Sequence, residues 1–183
     1  MSPVRTQLHL SIPEVVAPAG TRVLGLDVGL RFGWALLDER GKRITSGTLR
    51  LDRYESGPMR AYQAEGRIAA LFEHTAKQTH VAYEIVRRHE GVQAAHVYGG
   101  LRDSLYRACH RMSILPETVE VADVKRVATG KGNAPKPEML AAARLRWGPE
   151  IAGDDEADAC FIAEVLRRRL AKGFVARAGV GRG

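Results

Sequence analysis

Four carboxylates stand out because of where they fall in the chain. Asp27 lies in the run Val23-Leu24-Gly25-Leu26-Asp27-Val28, which reads as a strand buried on both faces. Glu84 lies in a second such run, Val81 to Val86. Asp155 and Asp158 open a helical stretch whose apolar stripe is Ala159, Ile162, Ala163, Leu166 and Leu170. Extended backwards at helical spacing, that stripe meets Asp158 and then Asp155. A carboxylate on a buried face is costly unless it is paired or holds a cation. Brought together, the four would repel one another and raise their own pKa values. Divalent cations remove the repulsion, and hard oxygen donors without His or Cys suit magnesium or manganese. Two such ions about 4 Å apart can activate a water and stabilise the leaving oxygen of a phosphodiester. The plainer account is that Asp27 caps its own turn and that the helix acids answer the macrodipole. That account covers acids facing solvent, not acids on a buried stripe. Asp154 and Glu156 offer the same ligand with a small shift of helix phase.

The elements that must position these groups follow in order. Strands are predicted at about 22–29 and 32–38, a hairpin turn at 39–42, and a third, antiparallel strand over 43–51. Alternation places Val23, Gly25 and Asp27 on one face, and small Gly25 leaves room for something to approach. A helix over 59–77 carries Ile68, Leu71, Phe72 and Thr75 on one stripe. The fourth strand, 80–86, shows Val81, Tyr83 and Ile85 on one face and Ala82, Glu84 and Val86 on the other. A long helix over 92–112 repeats Ala94, Tyr98, Leu101, Leu105, Ala108 and Met112 at heptad spacing. Val97, Arg102 and Tyr106 lie off that stripe and are better placed to meet a second subunit. The Gly99-Gly100 pair within it would let another backbone come close. A short strand at 118–122, a helix capped by Asp123, a helix over 137–147 and a last helix capped by Asp154 complete the domain. One domain over 22–172 is expected, with a flexible arm at 1–21 and a disordered basic tail at 173–183.

The chain has 183 residues and a net charge of +7, which favours a polyanion as partner. Thr129 to Lys136 is a glycine-rich basic loop without Walker spacing. Its amides, with Lys131 and Lys136, suit a phosphate diester better than a nucleotide. Cys109 and Cys160 fall among apolar neighbours and read as buried thiols. No signal-peptide core and no apolar run of spanning length appears, so no membrane association is expected, and the chain reads as cytoplasmic or nucleoid-associated.

The element order resembles the α/β RNase H-like fold, which implies a central mixed five-stranded sheet, three antiparallel strands plus two parallel, flanked by helices. The motifs Leu24-Gly25-Leu26-Asp27-Val28-Gly29, Tyr83-Glu84, Val124-Lys125 with Gly130-x-Gly132-x-Ala134-x-Lys136, and Asp155-Glu-Ala-Asp158-Ala159 resemble those of the RuvC family of Holliday junction resolvases, in the family's order. The resemblance implies a homodimer that nicks four-way branched DNA symmetrically with two magnesium or manganese ions per site. Asp27, Glu84, Asp155 and Asp158 would then be catalytic metal ligands. Lys125 and Lys136 would hold phosphates near the cut, and Arg87, Arg88 and Lys131 would bind DNA beside them. Where bacterial members carry an aromatic wedge after the strand glutamate, this chain has Arg87-Arg88-His89. A phage or organellar branch of the family fits as well, and a branch-migration helicase partner is not inferable.

Other readings are distinguishable. The first motif also resembles YqgF-type relatives associated with RNA processing, but the basic loop and the Asp-x-x-Asp helix favour the resolvase. A nucleotide-binding domain of the actin and sugar-kinase type would need a second similar half. A non-catalytic junction binder with vestigial acids would bind four-way DNA and leave it uncut.

Overall fold

In the computed structural model of the chain, residues 15–52, 57–75, 79–87 and 91–173 are described. The described elements are β1 (Arg22–Asp27), β2 (Arg31–Asp38), β3 (Arg43–Arg50), α1 (Gly57–His74), β4 (His80–Ile85), α2 (Val92–Arg111), β5 (Glu117–Glu120), α3 (Val121–Thr129), α4 (Lys136–Trp147) and α5 (Asp154–Ala171). The sheet runs in the order β3-β2-β1-β4-β5. β1, β2 and β3 pair antiparallel, and β4 and β5 continue the sheet parallel to β1. This is the expected mixed sheet, and β1 is its central strand.

Alternation along the strands sends side chains into two separate cores. On one face Val23, Ala35, Leu37, Ala82 and Val119 pack against Phe161, Ile162 and Leu166 of α5, with α3 and α4 behind them. On the other, Leu24, Leu26, Phe32, Trp34, Val81 and Tyr83 pack against Ile68 and Phe72 of α1 and Leu101 and Leu105 of α2. α5 is buried almost all round, beyond the stripe its sequence predicts, because α3 and α4 cover its outer side.

That position buries Glu164 completely, and three arginines answer it. Arg167, Arg146 and Arg168 donate to its carboxylate at 2.6–2.8 Å. Arg167 also donates to the carbonyls of Glu39 and Val15. Ala17 donates to the Glu39 carbonyl at 2.9 Å and is itself buried. Residues 15–21 of the predicted arm are therefore docked on the domain. Residues 1–14 and the tail from 174 lie outside the described residues.

Three expectations need correction. Ala94 and Met112 are exposed, and the buried face of α2 is Tyr98, Leu101, Ser104, Leu105, Ala108 and Cys109. A straight helix turns every 3.6 residues and drifts off a heptad, so the two ends of the predicted stripe leave the core. Val97, expected to lie off the buried stripe, is half-buried and packs against its own core. Neither Asp123 nor Asp154 is a cap. Glu120 and Gly153 hold those positions. Asp123 instead lies within the first turn of α3 and meets Arg126 at 2.6 Å and Arg169 at 3.2 Å.

Of the glycine pair in α2, Gly100 faces Ala61 of α1, and the Ser104 hydroxyl donates to the Ala61 carbonyl at 2.9 Å. Gly99 faces open space. Among the described residues no helix is long and apolar enough to cross a membrane.

Candidate active site

Two glycines let α5 lie directly on the sheet. A Cβ on Gly25 would stand 2.2 Å from the carbonyl oxygen of Ala159, and one on Gly33 only 1.7 Å from that of Asp155. Gly33 is the antiparallel partner of Asp27. The first turns of α5 therefore cross β1 and β2 at the level of Asp27. β4 lies on the other side of β1 with Leu26 opposite Tyr83, which sets Glu84 beside Asp27. The structure thus gathers all four predicted acids, Asp27 and Glu84 from adjacent parallel strands and Asp155 and Asp158 from the helix above them.

Their proximity is visible in their acidities. The Asp27 carboxyl is pushed up to about 8 by burial, then by the charges of Asp158, Glu84 and Asp155, with Lys136 partly opposing. Glu84 is pushed up to about 7 by burial and by Asp158, with Lys125 opposing. Asp158 rises to about 6 through burial, with Lys136 and Lys125 opposing and Asp154 and Asp155 adding to the rise. Such a cluster resists full ionisation, and Lys125 and Lys136 only partly offset the mutual repulsion. Among the described residues no three acidic, imidazole or thiol groups stand close enough to form a ready-made cation cage.

The neighbours of the helix acids separate their roles. Asp155 pairs with Arg31 Nε at 2.9 Å. Asp154 lies 3.9 Å from Lys136 Nζ at the outer edge. Glu156 points away from the cluster: it accepts the Ser46 hydroxyl at 2.5 Å and the Ala152 amide at 2.8 Å, and is buried. Glu156 therefore braces the start of α5 and is no alternative to Asp155. Arg31 is a site neighbour that sequence reasoning missed. Its signal was position, four residues past Asp27 at the start of the next strand.

Two of the predicted phosphate-binding residues, Lys125 and Lys136, act on the acids. Lys125 is half-buried on α3 and acts on Glu84 and Asp158. Lys136 is the first residue of α4 and acts on Asp27 and Asp158. Lys131 is exposed, 3.7 Å from Glu138. The loop between α3 and α4 is anchored by the buried Ala134. Arg87 is exposed and held by both oxygens of Glu120, at 3.2 and 2.5 Å. Arg88 and His89 lie outside the described residues. A cleft of about 530 Å³ between the N-terminal ends of α1 and α2 contains none of the four acids.

A five-stranded sheet of this order, with an acidic cluster at the end of its central strand, defines the RNase H-like class. Solved structures agree on the fold. The chain superposes on Thermus thermophilus RuvC in complex with a Holliday junction substrate with a TM-score of 0.74 at 20% identity, covering 84% of this chain and 96% of that one. It superposes on the yeast mitochondrial Holliday junction resolvase Ydc2 with a TM-score of 0.54 at 17% identity, covering 85% and 82%. No protein-family model matches the chain. Sequence relatives are more specific. The crossover junction endodeoxyribonuclease RuvC of Anaeromyxobacter dehalogenans is 33% identical over 87% of both chains. That of Magnetococcus marinus is 32% identical over 78% of this chain and 81% of its own. The chain belongs to the RuvC family of crossover junction endodeoxyribonucleases.

Proposed function

We propose that the chain resolves Holliday junctions by paired, divalent-metal-dependent hydrolysis, with Asp27, Glu84, Asp155 and Asp158 as the metal ligands. One observation supports the metal reading above others: an all-oxygen donor set from three elements, with Asp27 held near 8 by burial and by its three neighbours. Hard donors that are too crowded to ionise together fit magnesium or manganese, two ions to a site. When bound, these cations supply the Lewis acidity that activates water against a phosphodiester. The chain's own residues do the rest. Lys125 and Lys136 flank the cluster and hold phosphate oxygens beside it, where positive charge also favours the pentacovalent transition state. Lys131 and, once a phosphate displaces Glu120, Arg87 extend the track along the strand. Arg31 neutralises Asp155.

A junction has two-fold symmetry, so paired nicks need two copies of this site. We place the homodimer contact on the outer face of α2, where Gly99 faces open space and Tyr106 is 39% exposed. The test is cleavage of a synthetic four-way junction with magnesium or with chelator, beside a linear duplex and an RNA duplex. Magnesium-dependent cutting confined to the junction is expected. Preference for RNA would favour the RNA-processing reading, and tight junction binding without cutting would favour a structural binder.

A further inference from the structure

The hydroxyl of Tyr98 bridges the backbone on either side of Ile85. It donates to the Glu84 carbonyl at 3.0 Å and accepts from the Val86 amide at 3.2 Å. The ring of Tyr98 comes from α2 and is only 9% exposed, within the core between the sheet and α1 and α2. The pairing of β4 with β1 ends at Leu26 and Tyr83. Glu84 is thus the first residue of β4 past that ladder, although β5 still pairs with it on the other side. A strand end with one neighbour would leave its peptide planes free to rock. Two hydrogen bonds to a single rigid phenol hold both planes flanking Ile85, and with them the direction in which the Cα–Cβ bond of Glu84 leaves the strand. Tyr106, also on α2, ties its hydroxyl to Tyr83 at 2.5 Å but reaches no backbone group of Glu84.

We propose that Tyr98 is a positioning residue for Glu84: its hydroxyl holds the end of β4 so that the Glu84 carboxylate stays turned toward Asp27 and Asp158. This rests on the metal-site reading above. Tyr98 looks like core in the sequence, and its ring is core. The hydroxyl is the part with a separate role, and Tyr98→Phe removes only that. Outer-shell hydrogen bonds of this kind are worth roughly 10-fold in metal affinity or rate.

The experiment is calorimetric titration of Mn²⁺ into the DNA-free protein for wild type, Tyr98→Phe, Glu84→Gln and the double variant, with single-turnover junction cleavage and thermal melting alongside. Tyr98→Phe should weaken Mn²⁺ binding and slow cleavage by roughly 10-fold each, leave junction affinity within about twofold, and bind no less Mn²⁺ when added to Glu84→Gln. Tyr106→Phe, which removes the neighbouring hydroxyl, should leave Mn²⁺ affinity unchanged. Wild-type Mn²⁺ affinity in Tyr98→Phe, or an equal loss in the Glu84→Gln background, overturns the inference. If Glu84→Gln itself leaves Mn²⁺ binding untouched, the metal-site reading falls, and this inference with it.

Discussion

The carbonyl oxygen of Asp155 occupies the space that a side chain on Gly33 would need, 1.7 Å from the position of its Cβ. No rearrangement of a flexible side chain relieves that overlap, because both groups are backbone. Gly33→Ala must lift the first turn of α5 away from β2. We expect a loss of about 1–3 kcal/mol in denaturant unfolding, typical of overpacking, together with a much larger loss of cleavage, since Asp155 and Asp158 ride on the displaced turn. Wild-type cleavage in Gly33→Ala would show that the helix does not need this approach.

The raised acidities set a pH dependence with a definite sign. Asp27, Glu84 and Asp158 have folded-state values near 8, 7 and 6, above their ordinary carboxylate values. Below the ordinary value both states are protonated and nothing is lost. As pH rises toward the folded values the unfolded chain ionises first, so the metal-free protein loses stability, with the full loss reached above about pH 8. Melting in chelator should fall from about pH 5 to pH 8, and Asp27→Asn should flatten that fall. Magnesium should raise the melting temperature more at pH 8 than at pH 5, because the ligands must be ionised to bind it.

Asp27→Asn, Glu84→Gln and Asp158→Asn should each abolish junction cleavage while junction binding persists or tightens, because each removes an acid that repels the phosphates when ionised. Gel-shift and cleavage on one junction substrate read both effects. Asp154→Asn and Glu156→Gln make informative companions. The first should cut nearly normally, whereas the second should lower stability through the lost brace to Ser46 and Ala152.

Lys125→Ala, Lys131→Ala and Lys136→Ala should each reduce the salt dependence of junction affinity by about one unit of slope. Lys125→Ala and Lys136→Ala should also slow cleavage of bound junctions, and Lys131→Ala should not. Binding measured across a salt series, with single-turnover rates, checks this. Unchanged slopes would reduce the loop to a connector.

Gly99→Glu tests the dimer face with opposite signs in two measurements. Nothing lies within 4 Å of a Cβ there, and glutamate is the better helix former. The monomer fold should be as stable or slightly more so, whereas sedimentation should show a weaker dimer and cleavage should leave single nicks. Val97→Glu is the poorer probe, since Val97 packs against its own core.

Much of this site was legible in the sequence because local periodicity carries it. Alternation in β1 and β4 places Asp27 and Glu84 on the face that α5 covers, and helical spacing brings Asp155 and Asp158 onto the buried side of α5. Gly25 signalled that something approaches there, and the thing that approaches is the α5 backbone. The element order was equally readable, since each apolar run shows its own period, whereas the five-stranded sheet was what the resemblance to the RNase H-like fold implied. What the sequence could not determine depends on contacts between residues far apart in the chain. Only the fold shows that Glu156 is spent on Ser46, 110 positions away. Only the fold shows that Arg31 meets Asp155 and that the Tyr98 hydroxyl reaches the backbone at Glu84. The choice among Asp154, Asp155 and Glu156 turns on helix phase, and periodicity leaves that phase uncertain by about one residue until the helix is seated on Gly33. Side-chain hydrogen bonds are short and directional, so they follow from where the elements finally pack and leave no repeating trace in the residues that make them.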